Sequence, residues 1–503
     1  MLRTLCCAAA AAVVAISPLA AQASRYVPLD HPLLPAIEHL ISRGEIEDPS
    51  PNVRPFRQRD LIQALDSGLA RGTLADGRLA ARLREAFTEE GGARPRWGLE
   101  LRAGGQGYTH ARRDPLHPEG PGGVRPYVEA RAHAVFGNVL LVTRPAIEPR
   151  LTRDPDWPGR RDLEVTGRHL EGYLSAQFRW VRLFFGQMDQ NWGPAGVPGI
   201  GLSDYGYPRV SLGLEVGSER LRLAAQASLL RDARDSTGAR IHRYFFAHRL
   251  AARLTDRLHV ALWETTVLAG ADREFDWRFG NPVTILLLAN QYGLGDEGNV
   301  LVGLDATWQF AGRTSLALQL GIDDIQYQNR SGPTRTPDRY AFTVAAFGPL
   351  GRQLAWRGLY TQATSLAFRT ANPFESFTDA GVGLGRGFAD NEQATLQVSA
   401  PVLGDWLVTP EFALLRQGEG RITDPFPPAG VARGDTPRLF IGVRETTWRW
   451  ALGVSGRAGP LDLAATGGLH RVHNADHVRG RDRTRFEGRI QATLGLAWSG
   501  ELR

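Results

Sequence analysis

Between residues 97 and 498, nine long polar connections alternate with eight very short reversals, and most segments between them read apolar-polar with a period of two. The reversals fall near Gly137, Trp180, Gly217-Ser218-Glu219, Thr255-Asp256-Arg257, Ala311-Gly312-Arg313, 348–352, Leu403-Gly404-Asp405 and 456–460. A soluble sandwich has no reason to sort its loops by length, whereas a single-chain outer-membrane barrel has short turns on one side and longer loops on the other. Counting the connections predicts an all-β fold, an antiparallel transmembrane β-barrel of about eighteen strands spanning 96–503. Segments 163–180 and 439–455 alternate poorly, which leaves sixteen strands open.

The alternation also assigns faces. Val300, Val302, Leu304, Ala306 and Trp308 interleave with Leu301, Gly303, Asp305 and Thr307. In a membrane barrel the apolar set faces lipid and the polar set a wet lumen. Leu304 is therefore predicted to face lipid, and Asp305 to face water in the lumen, where Asp305→Asn would be tolerated.

The first residues read as an export signal: Arg3, an apolar stretch over 5–19, and an Ala21-Gln22-Ala23 cleavage site, so that 1–23 is removed and the mature chain begins at Ser24. Both cysteines, Cys6 and Cys7, lie in that peptide, which predicts a mature protein without thiol chemistry. Mean hydropathy is −0.25. No later stretch approaches the roughly 18 consecutive apolar residues of a membrane helix, so crossing by helices is excluded and crossing by strands is not. The formal net charge is +6, and all 59 basic residues are arginine. Every cation thus carries a planar fork suited to carboxylate or phosphate. Nucleic-acid motifs are absent, and an exported basic chain meets lipopolysaccharide or acidic polysaccharide instead.

Residues 24–95 differ from the rest. Leu33, Leu34, Ile37, Leu40 and Ile41 follow helical spacing and stop at Gly44; Leu61, Ile62 and Leu65 form a second stripe; Leu74, Leu79, Leu83, Ala86 and Phe87 form a third, ended by Gly91-Gly92. These three short amphipathic helices form a segment predicted to lie in the periplasm. None is long enough to be stable alone, so they must pack on one another or on the barrel.

Three constellations carry candidate chemistry. Segment 187–208 gathers Trp192, Tyr205 and Tyr207 with Asp204. Aromatic faces stack on sugar rings while carboxylates read hydroxyls, so these residues are candidate polysaccharide contacts; an inward-folded loop that constricts the lumen is the competing role. Arg479, Arg481 and Arg483 head a cationic run in the last long connection, a second candidate site for acidic polysaccharide or for lipopolysaccharide phosphates. Asp323 and Asp324, near Asp296 and Glu297, are adjacent carboxylates at a strand end. Adjacent strand residues point to opposite faces, which favours an arginine partner or a loop-capping role over a metal site. Asn281-Pro282 and the apolar run 283–289 read as a short buried helix over the barrel mouth, with a membrane-dipping loop as the alternative. No G-x-S-x-G, H-E-x-x-H or phosphate-loop motif occurs, so no catalytic residue, metal site or cofactor is predicted.

Several stretches together resemble the capsule assembly Wzi family of outer-membrane proteins: YVPLDHPLLPAIEHLISRGEIEDPSPNVRPFRQRDLIQAL, GQMDQNWGPAGVPGIGLSDYGYPRV, FGNPVTILLLANQYGLGDEGNVLVGLDATW and LALQLGIDDIQ, in that order. The resemblance implies an eighteen-stranded barrel with a periplasmic helical bundle, acting as a lectin that holds capsular polysaccharide on the cell surface. The expected function is therefore a non-enzymatic barrel anchoring extracellular polysaccharide, with outer-membrane lipids and the barrel assembly machinery as further partners. A porin or sugar-permeable channel is the alternative, and an occluded lumen would separate the two.

Overall fold

The computed structural model describes residues 23–89, 94–109, 116, 122–291, 298–325, 337–402, 406–427 and 436–502. The proposed signal peptide, the Gly91-Gly92 linker, the turn at Leu403-Gly404-Asp405 and the acidic pair Asp296 and Glu297 lie wholly or largely outside them.

Eighteen antiparallel strands close into one barrel. In chain order they are β1 (Arg96–Tyr108), β2 (Gly123–Phe136), β3 (Val139–Ile147), β4 (Gly167–Gln177), β5 (Val181–Gln187) and β6 (Val210–Gly217). Next come β7 (Leu221–Leu229), β8 (Arg240–Thr255), β9 (Leu258–Gly270), β10 (Asn299–Gln309), β11 (Ser315–Asp324) and β12 (Arg339–Leu350). The last six are β13 (Leu354–Ala363), β14 (Asn391–Val402), β15 (Trp406–Gln417), β16 (Glu445–Ala458), β17 (Leu461–His473) and β18 (Arg483–Glu501). The poorly alternating segments are thus strands β4 and β16, and the count of sixteen falls away. Closure comes from β1, which pairs with β2 on one side and with β18 on the other, Leu99 opposite Trp498 and Arg96 opposite Glu501. Residues past Trp498 therefore complete the seam, and no strand edge is left unpaired in the wall.

Faces follow the predicted register. Leu250, Leu262 and Leu304 stand side by side on β8, β9 and β10, all exposed on the outer surface. Trp308, Trp448, Trp450 and Trp498 are exposed as well. Asp305 points inward as expected, but water does not bathe it. It is buried, lies 3.3 Å from Arg249 and accepts a 2.9 Å hydrogen bond from Trp263 Nε1. The expected tolerance of Asp305→Asn is corrected accordingly, because that change would leave a buried guanidinium without its counter-charge.

The amino-terminal segment forms α1 (Leu34–Ser42), α2 (Gln58–Ala70) and α3 (Gly77–Phe87). Asp76 caps α3 by accepting from the amides of Arg78 and Leu79. Ile37, Leu40, Leu61, Leu65, Leu83 and Phe87 share one buried core, so the three stripes satisfy one another. Polar contacts then seat the bundle on the barrel. Arg43 donates to the carbonyls of Arg352 (2.7 Å) and Leu354 (2.5 Å), Arg82 to that of Arg457, and Arg313 to that of Thr73. The amide of Ala23 reaches the carbonyl of Gly137 at 2.7 Å. All these barrel partners sit at or beside short reversals, so the helices occupy the short-turn end.

Candidate functional site

Inside the barrel a loop and the helical segment meet from opposite ends. After β5 the chain turns into the barrel, and Asn191 and Trp192 pair antiparallel with Arg54 and Val53 of the helical segment. The Asn191 side chain braces this loop, donating to the carbonyl of Val197 (3.1 Å) and accepting from the amide of Gly199 (2.6 Å). Gln319, a lumen-facing carboxamide of β11, bolts it to the wall by donating to the carbonyl of Trp192 (2.6 Å) and accepting from the amide of Ile200 (2.9 Å). A buried apolar core then joins the loop (Trp192, Ile200, Leu202), the wall (Phe245, Trp263, Leu301) and the long connection after β13 (Phe368, Phe377, Leu384). Gly385 permits a close approach there, since a Cβ would lie 2.1 Å from the carbonyl oxygen of Ile200.

Beside this core runs a cavity of ≈ 680 Å³, bounded by α1, by the loop at 195–205 and by the wall from β13 through β18 to β1. Most of its charges are compensated in place. Arg102 meets Asp462 at 2.7 Å, Arg144 meets both Glu129 and Asp30 at 2.7 Å, and Arg449 meets Glu411 at 2.6 Å. Burial works against the Asp30 and Glu38 carboxylates, but Arg144 beside the first and Arg54 and Arg357 beside the second outweigh it and hold both below the usual range. Arg386 is different. It is buried, it donates to two neutral acceptors, Thr361 Oγ1 and Asn391 Oδ1, and it has no ion pair among the described residues. Burial pushes its guanidinium down to about 10. With the carboxamides of Gln393, Gln397 and Gln491 on the same wall, the cavity suits a hydroxyl-rich ligand bearing an acidic group.

The candidate residues from the sequence divide between two separate loops. Trp192 is only 6% exposed, packed into the luminal core, so its ring joins loop to wall and offers no face to a sugar at the mouth. Tyr205 is half-buried and meets Phe388 edge to face at 4.8 Å, and it lines the large cavity with exposed Asp204. Tyr207 donates from its hydroxyl to Asp154 Oδ2 (2.5 Å), with Trp157 against its ring at 4.9 Å and Arg168 over it at 5.1 Å. Its faces are therefore occupied. Arg481, on the connection between β17 and β18, and Arg483, the first residue of β18, share Asp476 at 3.1 and 2.7 Å, while Arg479 is exposed. Asp323 and Asp324 both have Arg339 as partner, at 3.6 and 3.0 Å, and Asp323 also caps the amide of Phe368 at 2.9 Å.

Sequence reasoning missed Arg386, Phe388 and Asp390. Asp390 accepts from the amides of Gly420 (3.0 Å), Phe440 (2.5 Å) and Ile441 (2.9 Å), tying the long connection after β13 to the one after β15. The stretch RGFADN does not mark these roles: Arg386 finds Asn391 close by, but Thr361, Tyr205, Gly420, Phe440 and Ile441 come from other segments.

No protein-family model matches the chain, and no curated protein matches it either. Among solved structures, OprD of Pseudomonas aeruginosa is similar over 80% of this chain and 95% of its own, at 12% identity and a TM-score of 0.43. OccK5 (OpdH) of the same organism gives 11% identity, 81% and 98% coverage and a TM-score of 0.41. Wzi of Escherichia coli, described as an outer-membrane protein involved in group 1 capsule assembly and a carbohydrate-binding β-barrel, is similar at a TM-score of 0.65 with 14% identity. The match covers 94% of this chain and 99% of Wzi, so the chain has a Wzi-like fold over most of its length.

Proposed function

We propose that this chain is an outer-membrane barrel that binds and anchors extracellular polysaccharide of the capsular kind without chemical turnover. The helical segment then lies in the periplasm, and the long connections present the ligand-binding surface outside. The observation that carries the proposal is the pairing of Val53 with Trp192, through which the helical segment and the inward loop meet across the lumen that a conducting pore must keep open. Similarity to a carbohydrate-binding barrel over nearly the full length supports the same reading. The exposed apolar exterior supports residence among membrane lipids, lipopolysaccharide included, which in turn calls for the barrel assembly machinery. The polymer contacts proposed are Asp204 and Tyr205 at the cavity, with Arg386 behind them, and Arg479, Arg481 and Arg483 at the last long connection.

Two measurements on the purified protein test the proposal: conductance in a planar bilayer, and retention of an acidic polysaccharide on immobilised protein. Polymer binding with negligible conductance is expected. A steady open-pore current without polymer binding would favour a sugar-permeable channel running through the ≈ 680 Å³ cavity.

A further inference from the structure

Phe245 and Phe246 are neighbours on β8, point to opposite faces of the wall, and are both 0% exposed. Phe245 belongs to the luminal core. Phe246 shares the outward face with exposed Leu250, so something covers the barrel exterior at this point. The cover is the connection between β9 and β10. It folds back down the outside of the wall and packs Phe279, Leu286 and Ala289 onto Phe246 and Leu268.

What lies beneath it is polar. His248 on β8 and Glu264 on β9 are directly opposite each other on the outward face, one residue pair above Leu250 and Leu262 on that face. The one-turn helix Leu286–Gln291 sits over them: the amides of Leu286 and Leu287 donate to Glu264 at 2.7 and 3.2 Å, and His248 Nδ1 lies 3.0 Å from the carbonyl of Thr284. Asn290 locks the far end through the amide and carbonyl of Gly298, at 2.6 and 3.1 Å. Over 283–288 the outer side of this cover is apolar, with Val283 74% and Ile285 53% exposed and Leu287 and Leu288 exposed beside them, while Trp277, 77% exposed, stands next to exposed Arg278, which pairs with Asp276.

Resting on the membrane reading above, we infer that this connection is a lipid-facing flap whose exposed side chains contact the acyl chains of the outer leaflet. Two observations fix the occupant. The flap is continuous with the apolar belt, since two residues along a strand separate the His248–Glu264 pair from Leu250 and Leu262, about 7 Å. It also lies within the belt's height: exposed Leu229 on β7 pairs with Tyr244, farther toward the long loops than Phe246. From exposed Leu254 to that level β8 climbs about 33 Å, or roughly 25 Å once tilted, the height of a barrel's apolar band. Without the flap, a carboxylate and an imidazole would face hydrocarbon. With it, their hydrogen bonds are met inside the protein and the stretch 283–288 offers lipid an apolar surface.

The test is nitroxide labelling in vesicles of dimyristoylphosphatidylcholine, using single cysteines in the chain starting at Ser24, which has none of its own. Ile285→Cys reports the flap, Leu304→Cys the wall, and Ser236→Cys an exposed long-loop position. Ile285 is expected to match Leu304, with high collision rates for oxygen and low ones for a water-soluble nickel chelate. Chelate access at Ile285 equal to that at Ser236 overturns the flap while Leu304 remains in lipid. Exclusion of both reagents from Ile285 overturns it in favour of a protein contact with a second copy. Chelate access at Leu304 itself would instead remove the membrane reading.

Discussion

Val53 of the helical segment stands in antiparallel register with Trp192 of the loop that enters the barrel from the other end. Trp192→Ala should leave a cavity at that junction and cost about 3–5 kcal/mol of docking. The expected outcome is a barrel that still shows heat-modifiable gel migration, while the helices become sensitive to added protease and bilayer conductance rises. Unchanged protease resistance would mean that the contacts at the short turns hold the bundle by themselves.

The wall register gives a paired prediction. Leu304→Arg places a cation against lipid, at roughly 2–4 kcal/mol near the bilayer midplane, and should impair assembly. Asp305→Asn keeps an acceptor for Trp263 but strips Arg249 of its buried partner, so it should assemble with a lowered unfolding temperature. Measuring both by gel migration and thermal scan separates an insertion defect from a stability defect.

Docking of the helices should depend on pH through His39. Burial, and then the Arg43 cation, lower its imidazole from 6.5 to about 4, while its Nδ1 lies 2.7 Å from Ser399 Oγ on β14. A depressed value means that the undocked state takes up the proton first. Its contribution is therefore complete above about 6.5 and is lost as pH falls toward about 4. Proteolysis of the helices should quicken over that window, and His39→Gln should flatten the response. An equal slope in the variant would assign it to other groups, the depressed carboxylates Asp30 and Glu38 foremost.

Replacing Arg479, Arg481 and Arg483 by Gln should lower retention of acidic polymer and make the remaining binding less sensitive to salt. The barrel should still assemble, because these side chains face solvent and only Asp476 loses ion pairs. Undiminished binding would move the contact to Asp204, Tyr205 and Arg386.

Local pattern carried much of the architecture. Period-two alternation fixed the faces of β10 and the outward direction of Leu304, because side chains on a strand must alternate whatever surrounds them. Loop-length sorting placed the eighteen strands, and helical spacing placed α1, α2 and α3. Tertiary structure decided what each face meets. Asp305 points inward as its parity demands, yet its environment is a buried pair with Arg249 because the inward loop packs against this part of the wall. Trp192 has the chemistry of a sugar platform but spends its ring on the luminal core, and the run 283–289 covers the outside of the wall instead of the barrel mouth. Strand parity is set by backbone geometry within a few residues, whereas Val53 and Gln319 for Trp192 and Thr361 for Arg386 come from other segments and meet them only in the folded barrel.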